Sequence, residues 1–230
     1  MKKKVGILGG MGPLATAKFF SSLVEQTEAK CDQEHIRVFI DNNPQIPDRT
    51  SYLLDSGESP VRSLIDSARR LENIGADFIV FPCNTSHYFY EEIQGAVDIP
   101  VLSMIEITAR HFKEHGIREA VLLSTEGTMK TGVYGKVFKS HGIDIMELDD
   151  SLQTLVTELI YAVKGDDKDV VLKAYSEILH RVRGFGKKKI ILGCTELPLV
   201  FNSEDVEFID PMTLLVESTI EFAGYKLRKD

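Results

Sequence analysis

Only three of the 230 residues are cysteine: Cys31, Cys83 and Cys194. An odd and scattered set of that size builds no disulfide framework, and it fits a reducing cytoplasm. No uncharged apolar run approaches the roughly 18 residues of a membrane-spanning helix. Runs of three consecutive Lys or Arg residues are limited to Lys2–Lys4 and Lys187–Lys189 in a chain of net charge −8. That argues against nucleic acid or an anionic membrane as a partner. Low-complexity linkers are missing as well. What remains, 43% hydrophobic and 27% charged residues, is the ordinary make-up of a folded globular chain. One segment imitates a secretory signal: Lys2–Lys4, the uncharged stretch Val5–Leu14, then Ala15-Thr16-Ala17. Gly6, Gly9, Gly10, Gly12 and Pro13 spoil that stretch as a helix. A strand, a glycine turn and a helix start are the better reading.

Short β-branched runs alternate with longer amphipathic segments. Val5–Leu8, Ile36–Ile40, Phe78–Phe81, Val101–Leu102, Ala120–Leu123 and Ile190–Leu192 read as strands. Several lack polar alternation, as parallel strands covered on both faces do. In Pro60–Ile74 the apolar residues Val61, Leu64, Ile65, Ala68 and Leu71 share one helical face. Leu152–Val163 does the same through Leu152, Leu155, Val156, Leu159, Ile160 and Val163. Ser59 before Pro60 is the expected N-cap, and Gly165 the expected C′ residue after the second of these helices. Alternating strands and helices predict an α/β fold with parallel sheets.

The second half echoes the first. A strand runs into a glycine-containing turn at Val5–Gly12 and again at Val121–Thr128. A strand ends on cysteine with threonine close behind in Phe78–Thr85 and again in Ile190–Thr195. This predicts two similar Rossmann-like lobes, residues 1–101 plus 211–230 and residues 102–210, related by a pseudo-twofold axis.

In an open parallel sheet, ligands bind beyond the carboxyl ends of the strands. Cys83 and Cys194 sit at such ends, each followed by a hydroxyl residue and an expected helix start. The N–H groups and dipole there can lower a thiol pKa or hold a carboxylate. Two thiols flanking one cleft could take a proton from one face of a carbon and return one to the other. At least one thiol is then expected to be depressed. Taken singly, each cysteine reads equally as a small buried hydrophobe. No metal is expected, because neither cysteine has a nearby set of partner ligands. A phosphatase-type loop fails, since Phe89 and Val200 stand where its arginine belongs. Cys31 is read as incidental. Two readings of other classes stay open. Gly10-x-Gly12-x-x-Ala15, with Asp41 after the next strand, fits a dinucleotide-binding oxidoreductase. A non-catalytic amino-acid-binding protein would use the same scaffold.

Three segments together resemble the cofactor-independent aspartate racemases of the aspartate/glutamate/hydantoin racemase family. They are Gly6-Ile-Leu-Gly-Gly-Met-Gly-Pro13, Pro82-Cys-Asn-Thr-Ser-His87 and Gly193-Cys-Thr-Glu-Leu197. The similarity runs over nearly the whole chain. It implies an active site in the cleft between the lobes, and racemisation of aspartate without pyridoxal phosphate or any other cofactor. Cys83 and Cys194 would act on opposite faces of Cα. Glutamate, alone or beside aspartate, is the alternative substrate. The resemblance also implies that Arg49 and Lys164 hold the side-chain carboxylate, while Asn84, Thr85, Ser86 and Thr195 hold the α-carboxylate. Leu14 and Ser86 depart from the residues common at their positions.

Read from the residues, Arg49 lies in a long loop, Asn42–Ser56, and Lys164 ends a helix. Glu196 either receives an ammonium or starts a helix favourably. His87 tunes the Cys83 thiol, packs, or meets solvent. Met11 lines the pocket, and Ser124, Thr125 and Thr128 occupy the matching turn of the second half. A homodimer is expected because two-fold oligomers are the commonest kind.

Overall fold

The structure, a computed structural model, describes residues 2–146, 148–201 and 205–229. The chain divides into two compact units, Met1–Ile107 with Met212–Asp230, and Thr108–Pro211. In chain order the first unit holds β1 (Val5–Gly9), α1 (Pro13–Gln26), β2 (Val38–Asn42), α2 (Arg49–Leu53), α3 (Val61–Asn73), β3 (Phe78–Val80) and α4 (Tyr90–Gln94). Helix α5 (Met104–Glu114) runs from it into the second unit. There β4 (Glu119–Ser124), α6 (Glu126–Thr131), α7 (Val133–Ser140), β5 (Asp144–Met146), α8 (Asp150–Lys164), α9 (Lys168–Arg183), β6 (Lys189–Gly193) and β7 (Phe208–Ile209) follow. Helix α10 (Pro211–Phe222) belongs almost wholly to the first unit.

Each unit carries a parallel sheet, so the α/β fold with parallel sheets is as expected. The strand orders are β2-β1-β3 and β5-β4-β6-β7. In both, the opening strand lies in the middle and the cysteine-bearing strand beside it. Val101, expected in a strand, makes a single parallel bridge to Ile79, at the place β7 takes beside β6. The periodicity missed β5 and β7, which are three and two residues long and too short to show a period.

Both faces of the first sheet are covered, which is why its strands show no polar alternation. Val5, Ile7, Phe78 and Val80 pack with Phe19 and Leu23 of α1 and Leu215, Val216 and Ile220 of α10. Leu8, Ile79 and Phe81 pack the other way, on Leu64, Ala68 and Leu71 of α3. Each such buried side chain contributes about 1.5–3 kcal/mol. In the second unit, Val121, Leu123, Ile190 and Leu192 pack on Leu152, Val156, Leu159 and Ile160 of α8 and on α9.

Three local expectations need correction. Helix α3 begins at Val61, so Pro60 stands at the cap position and Ser59 Oγ lies 3.4 Å from the Val61 N–H. Gly165 is the C-cap in right-handed geometry. The left-handed C′ residue is Asp166, at φ 56°. The Asp167 N–H then reaches the Ala162 carbonyl at 2.9 Å, closing a Schellman turn. Asp tolerates this conformation better than most residues with a side chain. Finally, the presumed loop around Arg49 contains a helix. The Asp48 carboxylate accepts from the Ser51 N–H at 2.8 Å and caps α2.

Candidate functional site

The glycine turn after β1 is built by close packing. Gly10 has φ +94°, and a Cβ there would lie 2.3 Å from the Asn43 backbone. A Cβ on Gly9 would lie 2.4 Å from the Thr16 side chain. The Thr16 hydroxyl accepts from the Gly10 N–H at 2.9 Å and donates to the Gly12 carbonyl at 3.0 Å. The space these glycines leave is therefore taken by Asn43 and Thr16. The turn delivers Met11, 5% exposed, to the core beside Cys83.

Cys83 follows β3 and is 5% exposed. The residues behind it form a 3₁₀ turn, Thr85–Phe89, that leads directly into α4. What reaches the sulfur is a side chain. The Ser86 hydroxyl, fully buried, lies 3.0 Å from Cys83 Sγ and 3.2 Å from Met11 Sδ. Asn84 and Thr85 are buried next to it.

His87 neither meets solvent nor reaches the thiol. Its Nε2 accepts from the Met104 N–H at 2.9 Å, so Nδ1 carries the proton and donates to the Cys83 carbonyl at 2.8 Å. The ring lies 4.1 Å from that of Phe81 between centroids. Burial lowers its pKa to about 4, against the opposing pull of the Cys83 carbonyl. A neutral His87 thus pins the cysteine turn to the start of α5.

Arg49 opens α2. Its Nη1 donates to the Pro47 carbonyl at 3.0 Å and the Ile46 carbonyl at 3.3 Å, while its Nε is buried without a hydrogen-bond partner among the described residues.

In the second unit, Cys194 follows β6 and is 7% exposed. Here too a 3₁₀ turn, Leu197–Leu199, replaces the expected helix. The Cys194 thiol donates to Glu196 Oε2 at 2.9 Å, and the Thr195 hydroxyl donates to the same oxygen at 3.2 Å. Burial pushes the Cys194 thiol well above its ordinary range. The Glu196 charge adds to that, and the Lys164 charge pulls the other way. Burial and the neighbouring carboxylate thus both favour the protonated form of this thiol. Lys164, exposed at the end of α8, has its Nζ 5.2 Å from the Tyr161 ring centroid. Thr128 is buried and tied to Thr125, whose hydroxyl caps α6 by accepting from the Thr128 N–H at 3.2 Å.

Tyr134 went unnoticed in the sequence. It is 1% exposed. Burial first, then Asp210 and Cys194, raise its phenol well above the ordinary value. Nothing in the Val133-Tyr134-Gly135 stretch of the sequence marks it. The structure therefore joins Met11, Ser86 and Cys83 in one unit and Thr195, Glu196, Cys194 and Lys164 in the other. Among the described residues, no group of three or more His, Cys, Asp or Glu is placed to hold a metal ion. An open groove of about 640 Å³ between α8 and α9, lined by Leu155, Val170 and Ala174, holds neither cysteine.

Comparison with known proteins gives the class first: this is the fold of the amino-acid racemases, which are isomerases. Residues 8–219 match the family described as Asp/Glu/Hydantoin racemase, and the chain belongs to that family. It is similar to the broad specificity amino-acid racemase RacX of Bacillus subtilis (strain 168), with 32% identity over 94% of this chain and 96% of that one. Among solved structures it is similar to the Picrophilus torridus aspartate racemase, with TM-score 0.88, 34% identity, and 99% and 96% of the two chains covered. An aspartate racemase homologue from Pyrococcus horikoshii OT3 superposes with TM-score 0.78 at 26% identity, covering 96% and 99%. No helix among the described residues is long and apolar enough to cross a membrane.

Proposed function

We propose that the protein interconverts L- and D-aspartate without a cofactor, with Cys83 and Cys194 as the two acid–base groups. The observation that carries this reading is the matched position of the two buried cysteines. Each follows the strand beside its unit's opening strand, and each sulfur is hydrogen-bonded to a side chain that can accept or give a proton. In one direction the Cys83 thiolate takes the α-proton and the Cys194 thiol supplies a proton to the opposite face. In the other direction the roles exchange. The thiol state of Cys194 suits it to the acid role in the resting protein.

Arg49 and Lys164 would receive the side-chain carboxylate. The orphaned Arg49 Nε supports this, since a buried donor without a partner is costly and a carboxylate would satisfy it. Asn84, Thr85 and Thr195 would hold the α-carboxylate. We assign the protein to the cytoplasm and expect a homodimer. The similarity to a broad specificity racemase favours a second reading in which aspartate is one substrate among several.

The test is purified protein with L-aspartate in D₂O, without added cofactor, followed by the same assay with glutamate and neutral amino acids. Deuterium at Cα together with D-aspartate is the expected result. Absence of exchange for every amino acid would overturn the reading, and turnover of neutral amino acids at comparable rates would replace it by the broader one.

A further inference from the structure

The Ser86 hydroxyl, fully buried, lies between two sulfur atoms, Cys83 Sγ at 3.0 Å and Met11 Sδ at 3.2 Å, whose residues are each 5% exposed. A hydroxyl has one proton to give and lone pairs to receive with. A thiolate can only accept, a thiol can donate weakly, and a thioether can only accept. The three groups therefore have two satisfied arrangements. With Cys83 as thiolate, the Ser86 O–H donates to Cys83 Sγ. With Cys83 as thiol, its S–H donates to Ser86 Oγ, and the Ser86 O–H turns to Met11 Sδ.

We propose that Ser86 is a positioning residue for Cys83, whose hydroxyl turns between the two sulfurs as Cys83 loses and gains its proton. This deepens the two-cysteine reading and rests on it. Ser86 then spends its hydroxyl on sulfur rather than on the substrate's α-carboxylate. The arrangement lets a buried cysteine cycle between protonation states without water, because each state leaves every donor among the three groups partnered. A hydrogen bond to a charged acceptor is the stronger kind, so the net effect favours the thiolate. The titratable side chains on the elements packed against this turn are Arg49 and Tyr52 of α2, Tyr90, Glu91 and Glu92 of α4 and Glu106 near the start of α5, with Tyr88 on the turn itself. His87 on the turn itself is neutral and bonded elsewhere. A change at Ser86 leaves all of them in place.

The test follows thiolate ultraviolet absorbance against pH in a Cys31→Ser, Cys194→Ser background, where Cys83 is the one remaining thiol, with circular dichroism to confirm the fold. Ser86→Ala is expected to move the Cys83 midpoint up by about one pH unit, a tenfold loss of thiolate below it. Met11→Leu, close in volume, removes the second acceptor and is expected to move the midpoint down. A midpoint unchanged in Ser86→Ala, or one unchanged or raised in Met11→Leu, would overturn the proposal. Cα–H exchange in the protein with its native thiols is measured separately. Loss of exchange with the Ser86 shift intact sinks the racemase reading and keeps the coupling. Exchange without the shift sinks the coupling alone.

Discussion

At the turn after β3, a serine hydroxyl meets the Cys83 sulfur; at the turn after β6, the Cys194 thiol faces the Glu196 carboxylate. Strand, residue type, burial and the 3₁₀ turn behind the sulfur are shared, and the company of the sulfur is not. A hydroxyl can serve either protonation state. A carboxylate accepts from a thiol and repels a thiolate. Two turns of one design thus give their sulfurs unlike partners.

The strongest way to break the comparison is to remove each sulfur. Cys83→Ser and Cys194→Ser should each lower racemisation by about 10²–10⁴-fold, the usual contribution of a positioned acid or base, with the fold intact by circular dichroism. Equal activity in either variant ends the two-cysteine reading.

The opening turns of the two units differ as the cysteine turns do, and stability measures that difference. After β1 the chain relies on Gly10 at φ +94° against the Asn43 backbone. After β4 it relies on the Thr125 side chain capping α6. Gly10→Ala should cost several kcal/mol, with about 1–3 kcal/mol from the backbone conformation alone and the remainder from the clash. Thr125→Ala should cost about 1 kcal/mol, the typical value of a lost cap. Denaturant unfolding of both variants checks the ratio, and equal losses would mean the turns are not built differently.

The first unit alone carries a buried neutral histidine behind its cysteine, and that gives a pH signature. His87 has a folded pKa of about 4 against an ordinary 6.5. The unfolded chain therefore binds a proton that the folded chain refuses. Its contribution is complete above pH 6.5 and is lost progressively as pH falls toward 4, by about 3 kcal/mol in total. Unfolding free energies across that window should fall with this slope, and His87→Gln should flatten it. An unchanged slope in His87→Gln would show that another group titrates there.

The smallest effect sharpens the comparison most directly. Glu196→Gln removes the carboxylate that helps hold the Cys194 proton, so the midpoint for Cys194 alkylation should move to lower pH, followed by mass spectrometry of its peptide. Burial, the larger cause, remains, so the thiol should still titrate above its ordinary range. A midpoint moved upward would overturn the assignment of Glu196.

Much of this was legible in the chain. Leu64, Ala68 and Leu71, or Val156, Leu159 and Ile160, announce a buried helical face because spacing along a helix decides which side chains share it. The uniform apolarity of Val5–Leu8 announces a strand covered on both sides. The helix at Arg49 was not legible, since five residues hold too little periodicity to separate it from a loop. Nor was Tyr134, an ordinary amphipathic position until the fold sets Asp210 and Cys194 near it.

Order and spacing in the sequence settled the α/β alternation and the repeated strand-to-cysteine plan, because these depend on contacts between near neighbours in the chain. Tertiary structure decided which groups the sulfurs and the histidine meet. Met11 is far from Ser86 in the chain, and Met104 is far from His87. Protonation follows burial and hydrogen bonding in space, which residue order alone does not contain.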